Sequence, residues 1–286
     1  MKNSRVRRSL IFVLLFLAFL VLMDYPFVAR LVNNRIQGEV ALDYNENTES
    51  LTDTVQDREL ARAAEYNTDL ASGTGTKIED AFEEKDQEQQ EEHQNYESLL
   101  NTNGDGVMGT VEIPKIHLNL PIYHGTSERV LEDGAGHLEG SSLPVGGTDT
   151  HCCISAHRGL VQKKMFTELD ELEKDDIFLI HVLGETLCYR VSKIQTVMPD
   201  EVKSLEIQRG KDLVTLITCT PYGINTHRLY VEGCRIPYTE EVTQEVQEQD
   251  GFRWQEWWWV YLSILLIGLM CLLLVRYNRT AKKSEK

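Results

Sequence analysis

Between Val107 and Ile236 the chain reads as a succession of short runs rich in Val, Ile, Leu, Thr and Tyr, cut apart by Gly and Pro. The runs are Thr110 to Ile113, Leu118 to Ile122, His151 to Ser155, Ile177 to Val182, Thr186 to Thr196, Leu213 to Thr218 and Arg228 to Ile236. Seven strand-length segments in roughly 130 residues, with only Met165 to Glu173 suited to a short helix, predict a mainly β barrel or sandwich.

Upstream the pattern changes. From Arg30 to Leu100 the sequence is polar and acidic and has no β-branched run. Asp57 to Tyr66 and Gln87 to Leu100 suit helices, and Ala71-Ser72-Gly73-Thr74-Gly75-Thr76 between them is a flexible break. This predicts an arm in front of the barrel. At the N-terminus Lys2, Arg5, Arg7 and Arg8 precede an apolar run from Leu10 to Met23. It is shorter than the roughly 20 residues that span a bilayer unaided. Asp24-Tyr25-Pro26-Phe27 makes a poor cleavage site, so an uncleaved anchor is expected, with a cut after Ala29 as the alternative. Near the other end Trp257-Trp258-Trp259 opens an apolar stretch that continues to Val275 and meets Arg276, Arg279, Lys282 and Lys283. Aromatic residues at one boundary and basic residues at the other mark a membrane-spanning helix. With both basic flanks cytoplasmic, everything between lies outside the membrane. The expected parts are an anchor (1–29), an acidic arm (30–100), a barrel (101–238), a juxtamembrane linker (239–256), a membrane helix (257–275) and a basic tail (276–286).

A formal charge of -16 argues against a nucleic-acid partner, because a phosphate backbone would be repelled before specific contacts formed. The cysteines are Cys152, Cys153, Cys188, Cys219, Cys234 and Cys271. Most sit in apolar, strand-like sequence, which predicts buried thiols and one functional cysteine instead of a disulfide framework. Adjacent Cys152 and Cys153 should point to opposite faces of a strand, and with His151 and His157 they match no common zinc spacing, so no metal is expected. The segment from Asn101 to Glu112 nearly spells a calcium loop. Asn101 in the first ligand position, and Pro114 leading into a strand where a helix should exit, favour a plain Asn/Gly turn without calcium.

Val214 to Cys219 is a strand that ends in a cysteine, followed by the turn formers Thr220-Pro221-Tyr222-Gly223. A strand end can present a nucleophile from a rigid element, although a cysteine taken alone is more often a buried packing residue. The strand that follows can pair back as a hairpin and bring Arg228 near Cys219. A guanidinium there can lower a thiol pKa and donate to an oxyanion. His157, where a strand runs into a Gly-containing loop, suits proton transfer near neutrality. His227 is its rival, but it alternates in direction with Arg228.

These residues carry a specific resemblance. Thr215-Leu216-Ile217-Thr218-Cys219 resembles the TLxTC signature of the sortases, and Ala156-His157-Arg158-Gly159 and Arg228 fall where that family keeps its histidine and arginine. The stretch from Asn103 to Ile236 looks like the sortase barrel. The wording of Thr220 to Arg228 and the second membrane helix resemble class C, the pilin-polymerising sortases. The resemblance implies a closed β-barrel with short helices, preceded by a helical arm that carries a lid and flanked by two membrane segments. It implies a cofactor-free cysteine transpeptidase with Cys219 as nucleophile, His157 as acid and base, and Arg228 stabilising the oxyanion, with Thr215 and Thr218 binding substrate. The partners implied are exported pilin or surface proteins with an LPxTG-like sorting signal and an acceptor lysine. Attachment to cell-wall amines, a hydrolytic endopeptidase and a non-catalytic binding barrel are the alternatives. The class C lid motif is Asp-Pro-aromatic, and its nearest match is Asp80-Ala81-Phe82, which lacks the proline that would stiffen the loop.

Overall fold

The computed structural model describes residues 2–74, 80–82, 95–249 and 257–283, with the side chains of 2–6, 8 and 278–283 left aside. The chain divides into two compact units, residues 32–251 and a smaller one of residues 1–31 with 252–286.

In the larger unit eight strands close into a barrel in the order β1-β2-β3-β4-β7-β8-β6-β5. They are β1 (Val107–Ile113), β2 (Leu118–His124), β3 (Ala135–His137), β4 (Thr150–Ser155), β5 (Ile177–Val182), β6 (Glu185–Val197), β7 (Asp212–Thr220) and β8 (His227–Ile236). Seven are the strands expected. The eighth, β3, lacks β-branched residues, and its Gly136 passes so close to the Gly125 carbonyl that a Cβ would lie 2.3 Å from the oxygen. The helix expected over Met165 to Glu173 is only a 3-10 turn, Leu169–Glu171.

Two strand pairs are parallel, β2 with β3 and β4 with β7. Parallel strands end on the same side of a sheet, so β4 and β7 deliver their C-terminal residues to one rim. β8 runs antiparallel to β7 and begins at that rim. The main core includes Met108, Val111, Ile154, Phe178, Tyr189, Val214 and Leu216. Cys152 packs into it, while Cys153 faces a second apolar cluster with Leu138, Leu205, Ile217 and Tyr230, as the alternation of a strand requires. All six cysteines are free thiols. His151 bonds to Glu206 O at 3.0 Å and to Thr215 Oγ1 at 2.7 Å. Asn101 and Asp105 accept the backbone N–H groups of Gly106 and Val107, so this segment folds as a turn entering β1.

Helix α1 (Lys2–Glu49) does not stop near residue 29 but continues with Pro26 inside it. Its Gln37, Ala41, Tyr44 and Thr48 recur at helical spacing and are buried, and Tyr44 donates to Met108 O at 2.9 Å. Helix α2 (Asp53–Asp69) buries Glu59, Ala63 and Asn67. Asn67 donates to Leu143 O (3.1 Å) and accepts from Leu143 N (2.7 Å), clasping the arm to the loop before β4. Of the helix expected over Gln87 to Leu100, residues 95–98 are helical, and 87–94 lie outside the described residues. Helix α3 is Glu128–Asp133. Residues 239–256, expected as a linker, contain helix α4 (Glu240–Gln249), whose Val246 packs against Ile177, Leu179 and Cys188 while Glu245 pairs with Arg190 at 2.7 Å. An amphipathic segment next to an uncovered apolar patch of β5 and β6 gains by burying it, which explains a helix where a linker was expected.

In the smaller unit, helix α5 (Trp258–Lys283) meets the first part of α1. Phe27 stacks on Trp259 with ring centroids 5.6 Å apart, and Ser263 donates to Asp24 at 2.8 Å. Ser9–Glu49 and Trp258–Tyr277 are long and apolar enough to cross a membrane.

Replacing Asn67 by Ala strands a buried N–H and a buried carbonyl of Leu143, so a loss of about 1–3 kcal/mol per group is expected. Urea unfolding of the detergent-solubilised chain should show a lower midpoint, and an unchanged midpoint would mean the clasp is redundant.

Candidate active site

Cys219 lies one pair from the end of the ladder between β7 and β8, directly opposite Arg228. The hairpin therefore brings these two together as the sequence suggested. His157 follows β4, whose last residue Ser155 pairs with Ile217 of β7. The chain then stays attached to β7. Ala156 N donates to Ile217 O at 3.1 Å, and Thr218 Oγ1 donates to Ala156 O at 2.8 Å. Parallel pairing of β4 and β7 thus sets a histidine and a cysteine far apart in sequence at one rim.

Asp80-Ala81-Phe82 lies on these residues. Asp80 accepts from Arg228 Nε at 2.9 Å and from its Nη2, a two-pronged carboxylate–guanidinium contact. The Phe82 ring lies 4.9 Å from the Arg228 guanidinium carbon and 6.0 Å from the His157 ring. Ala81 enters the second apolar cluster beside Leu138, Ile217 and Tyr230. Arg228, Asp80 and Cys219 are each at most 8% exposed. Where the family has a proline to restrict the backbone, this segment is held by an ion pair, a ring over a cation and one buried methyl group. Of the break from Gly73 to Thr76, Gly73 has φ +88 and ends a turn of π-helix, while Gly75 and Thr76 lie outside the described residues.

The electrostatics follow from this cover. Burial pushes the Cys219 thiol up, Arg228 pulls it back, and the Asp80 carboxylate adds to the rise. Burial lowers His157, against the pull of Glu128 and Glu132 on α3. Near neutral pH the covered site therefore holds a thiol and a neutral imidazole. Burial opposes the charge on Arg228, but its bonds to Asp80 and the field of Cys219 outweigh that effect, and its pKa rises.

The sortase-domain family model matches residues 111–236. Sortase C-1 of Actinomyces oris is 46% identical, with a TM-score of 0.59 over 64% of this chain and 99% of that one. Sortase C1 of Streptococcus agalactiae is 42% identical, with a TM-score of 0.64 over 70% and 100%. The chain belongs to the sortase family, and to its class C. Sortase D of Bacillus subtilis (strain 168) is 34% identical over 132 residues, which are 45% of this chain and 63% of that relative.

Thr215 and Thr218, expected to bind substrate, are at most 1% exposed. His151 Nδ1 faces a carbonyl and must carry the proton, so its Nε2 accepts from the Thr215 hydroxyl. Thr218 gives its proton to Ala156 O, so both hydroxyls are engaged within the protein. Three residues apart on β7, the two threonines point to opposite faces of the strand, and both faces are buried. His227 pairs with Thr220 and meets Thr226 Oγ1 at 2.9 Å, which leaves His157 as the histidine beside Phe82. Sequence reasoning missed Tyr230 and Leu138, whose only signal is their apolar character. Among the described residues no group of three or more His, Cys, Asp or Glu could hold a metal.

In a doubly substituted Asp80→Ala, Phe82→Ala protein Cys219 loses both its cover and the carboxylate that raises its pKa. Alkylation of Cys219 at pH 7 should then be several-fold faster, and the inflection of its pH–rate curve should move to lower pH. Peptide mapping locates the label. Equal rates and inflections in the two proteins would mean that this segment does not control access.

Proposed function

We propose that this chain is a membrane-anchored cysteine transpeptidase that cuts an LPxTG-like sorting signal and transfers its acyl group to a lysine amine of a pilin subunit. The observation that carries this reading is the convergence of Cys219, His157 and Arg228 on one rim, beneath a short removable segment, in a class C sortase. When Asp80 withdraws, the Arg228 guanidinium regains the N–H groups it gives to the carboxylate. Those donors can serve the carbonyl oxygen of the scissile Thr-Gly bond.

The neutral thiol and imidazole are the right starting pair. Cys219 gives its proton to His157 as its sulfur attacks the threonine carbonyl, and Arg228 takes the developing oxyanion. The imidazolium then protonates the glycine nitrogen as the C–N bond breaks, leaving a thioester on Cys219. An incoming lysine amine attacks that thioester and passes a proton to His157. The C–S bond breaks, the proton returns to sulfur, and an isopeptide bond remains. The Asp80–Phe82 segment acts as a lid that excludes water from the thiol until a substrate displaces it.

Both apolar helices anchor the chain in this reading, with their basic flanks on the cytoplasmic side and residues 32–251 outside. The partners are exported proteins that carry the sorting signal and, for the second step, an accessible lysine.

Mass spectrometry of a sorting-signal peptide incubated with the enzyme, with and without an amine acceptor, tests the chemistry. The amide product should dominate when amine is present, and hydrolysis alone would make the chain an endopeptidase. Cys219→Ala should abolish both products, whereas Cys152→Ala and Cys153→Ala should retain most activity and lose at most a few kcal/mol of stability. Arg228→Lys, which lacks the planar set of donors, should lower kcat by about 10²–10³. Near-normal turnover in Arg228→Lys would show that positive charge alone suffices.

A further inference from the structure

The ladder between β4 and β7 ends at Ser155 and Ile217, short of both His157 and Cys219. Beyond it the two chains part, one into the loop after His157 and the other into the turn from Pro221 to Thr226. Past that point Thr218 Oγ1 still reaches Ala156 O, and Arg158 joins the two chains beyond both reacting residues. Arg158 Nη1 donates to Thr220 Oγ1 at 3.0 Å, so the residue after His157 is bonded to the residue after Cys219. Arg158 Nη2 pairs with Asp170, the middle residue of the 3-10 turn Leu169–Glu171, and the Arg158 side chain is 8% exposed. Asp170 is thus the fixed end of the tether, and Thr220 the end that reaches the nucleophile.

We propose that Arg158 is a positioning residue that sets the distance between the His157 imidazole and the Cys219 sulfur through its bond to Thr220. Three bonds then bracket the pair: Ala156 N to Ile217 O, Thr218 Oγ1 to Ala156 O, and Arg158 to Thr220. The first two lie before the reacting residues; Cys219 is then held by the β7–β8 ladder, while His157 is left to swing on its loop. The third lies after both and closes the frame. Arg228 and Asp80 are the charged groups acting on Cys219, and Glu128 and Glu132 those acting on His157. A guanidinium suits the task because its planar fork holds two acceptors in fixed directions, which a lysine ammonium cannot do. Proton transfer between sulfur and nitrogen is steep in distance, and a misplacement of about 1 Å can cost about 10²-fold.

This inference rests on the proposed roles of Cys219 and His157, and the experiment separates the two. With the full-length enzyme and a sorting-signal peptide, Thr220→Val should lower kcat tenfold or more while KM stays within threefold and the thermal midpoint is kept. Thr220→Ser, which restores the hydroxyl, should recover activity. Arg158→Gln and Arg158→Lys should both be impaired, and Arg158→Gln combined with Thr220→Val should be no worse than the weaker single variant. The pH profile of Cys219 alkylation supplies the readout that lost stability alone would not move. Two coupled inflections in the wild type should become one in Thr220→Val. A kcat within twofold of wild type with both inflections kept in Thr220→Val, or multiplicative losses in the double variant, would overturn the positioning role. Activity retained in Cys219→Ala would instead overturn the catalytic reading beneath it.

Discussion

The parallel pairing of β4 with β7 is the contact on which the rest of this barrel and its site depend. It joins a strand ending at Ser155 to one ending at Thr220, so two distant segments finish at the same rim. Parallel strands cannot be linked by a tight turn, and the long connection between them here carries β5 and β6 around the other side of the barrel. The antiparallel hairpin of β7 and β8 then returns Arg228 opposite Cys219. Without the β4–β7 ladder, Cys219 and Arg228 would still be neighbours, because their hairpin is local, but His157 would have no reason to join them.

Over this rim lies a cover whose strength is electrostatic. Asp80 and Arg228 are both buried and joined by two hydrogen bonds, with Phe82 over the guanidinium. A buried pair of this kind is poor evidence of net stability, since desolvating both charges consumes much of the attraction. Its geometry is nevertheless informative, because removing one partner leaves the other charge in a dry site. In the proposed function, a substrate that moves Asp80 would present its own acceptor to Arg228. Burial, with Asp80 adding to it, raises the Cys219 thiol, and burial lowers His157.

Much of this was legible in the linear pattern. Seven of eight strands followed from runs of β-branched and aromatic residues bounded by Gly and Pro, because alternation on a half-buried sheet is a local property. The exception was β3, whose Ala-Gly-His carries no such signal and is a strand only because Gly136 lets it pass close to the backbone of Gly125. Cys219 and Arg228 were legible for the same local reason, a strand, a turn and a returning strand. The burial of the signature's threonines was not legible, since a motif gives identities without the direction in which each side chain points. Residues 239–256 were misread as a linker because nothing within them reveals the apolar patch of β5 and β6 that α4 covers.

What the sequence by itself determined is most of the elements: the apolar segments near the two ends, the acidic arm, seven of the strands, and a cysteine near the end of one of them. Periodicity, turn formers and the basic flanks of apolar runs act over a few residues, so they can be read without knowing where the chain goes next. The tertiary structure alone decided which ends meet. The parallel register of β4 on β7, the clasp of Asn67 on Leu143, the seat of Asp80 on Arg228 and the tether of Arg158 on Thr220 each join residues more than 60 positions apart. Their bonds form only after the barrel closes and excludes water, because until then every one of those polar groups is satisfied equally well by solvent.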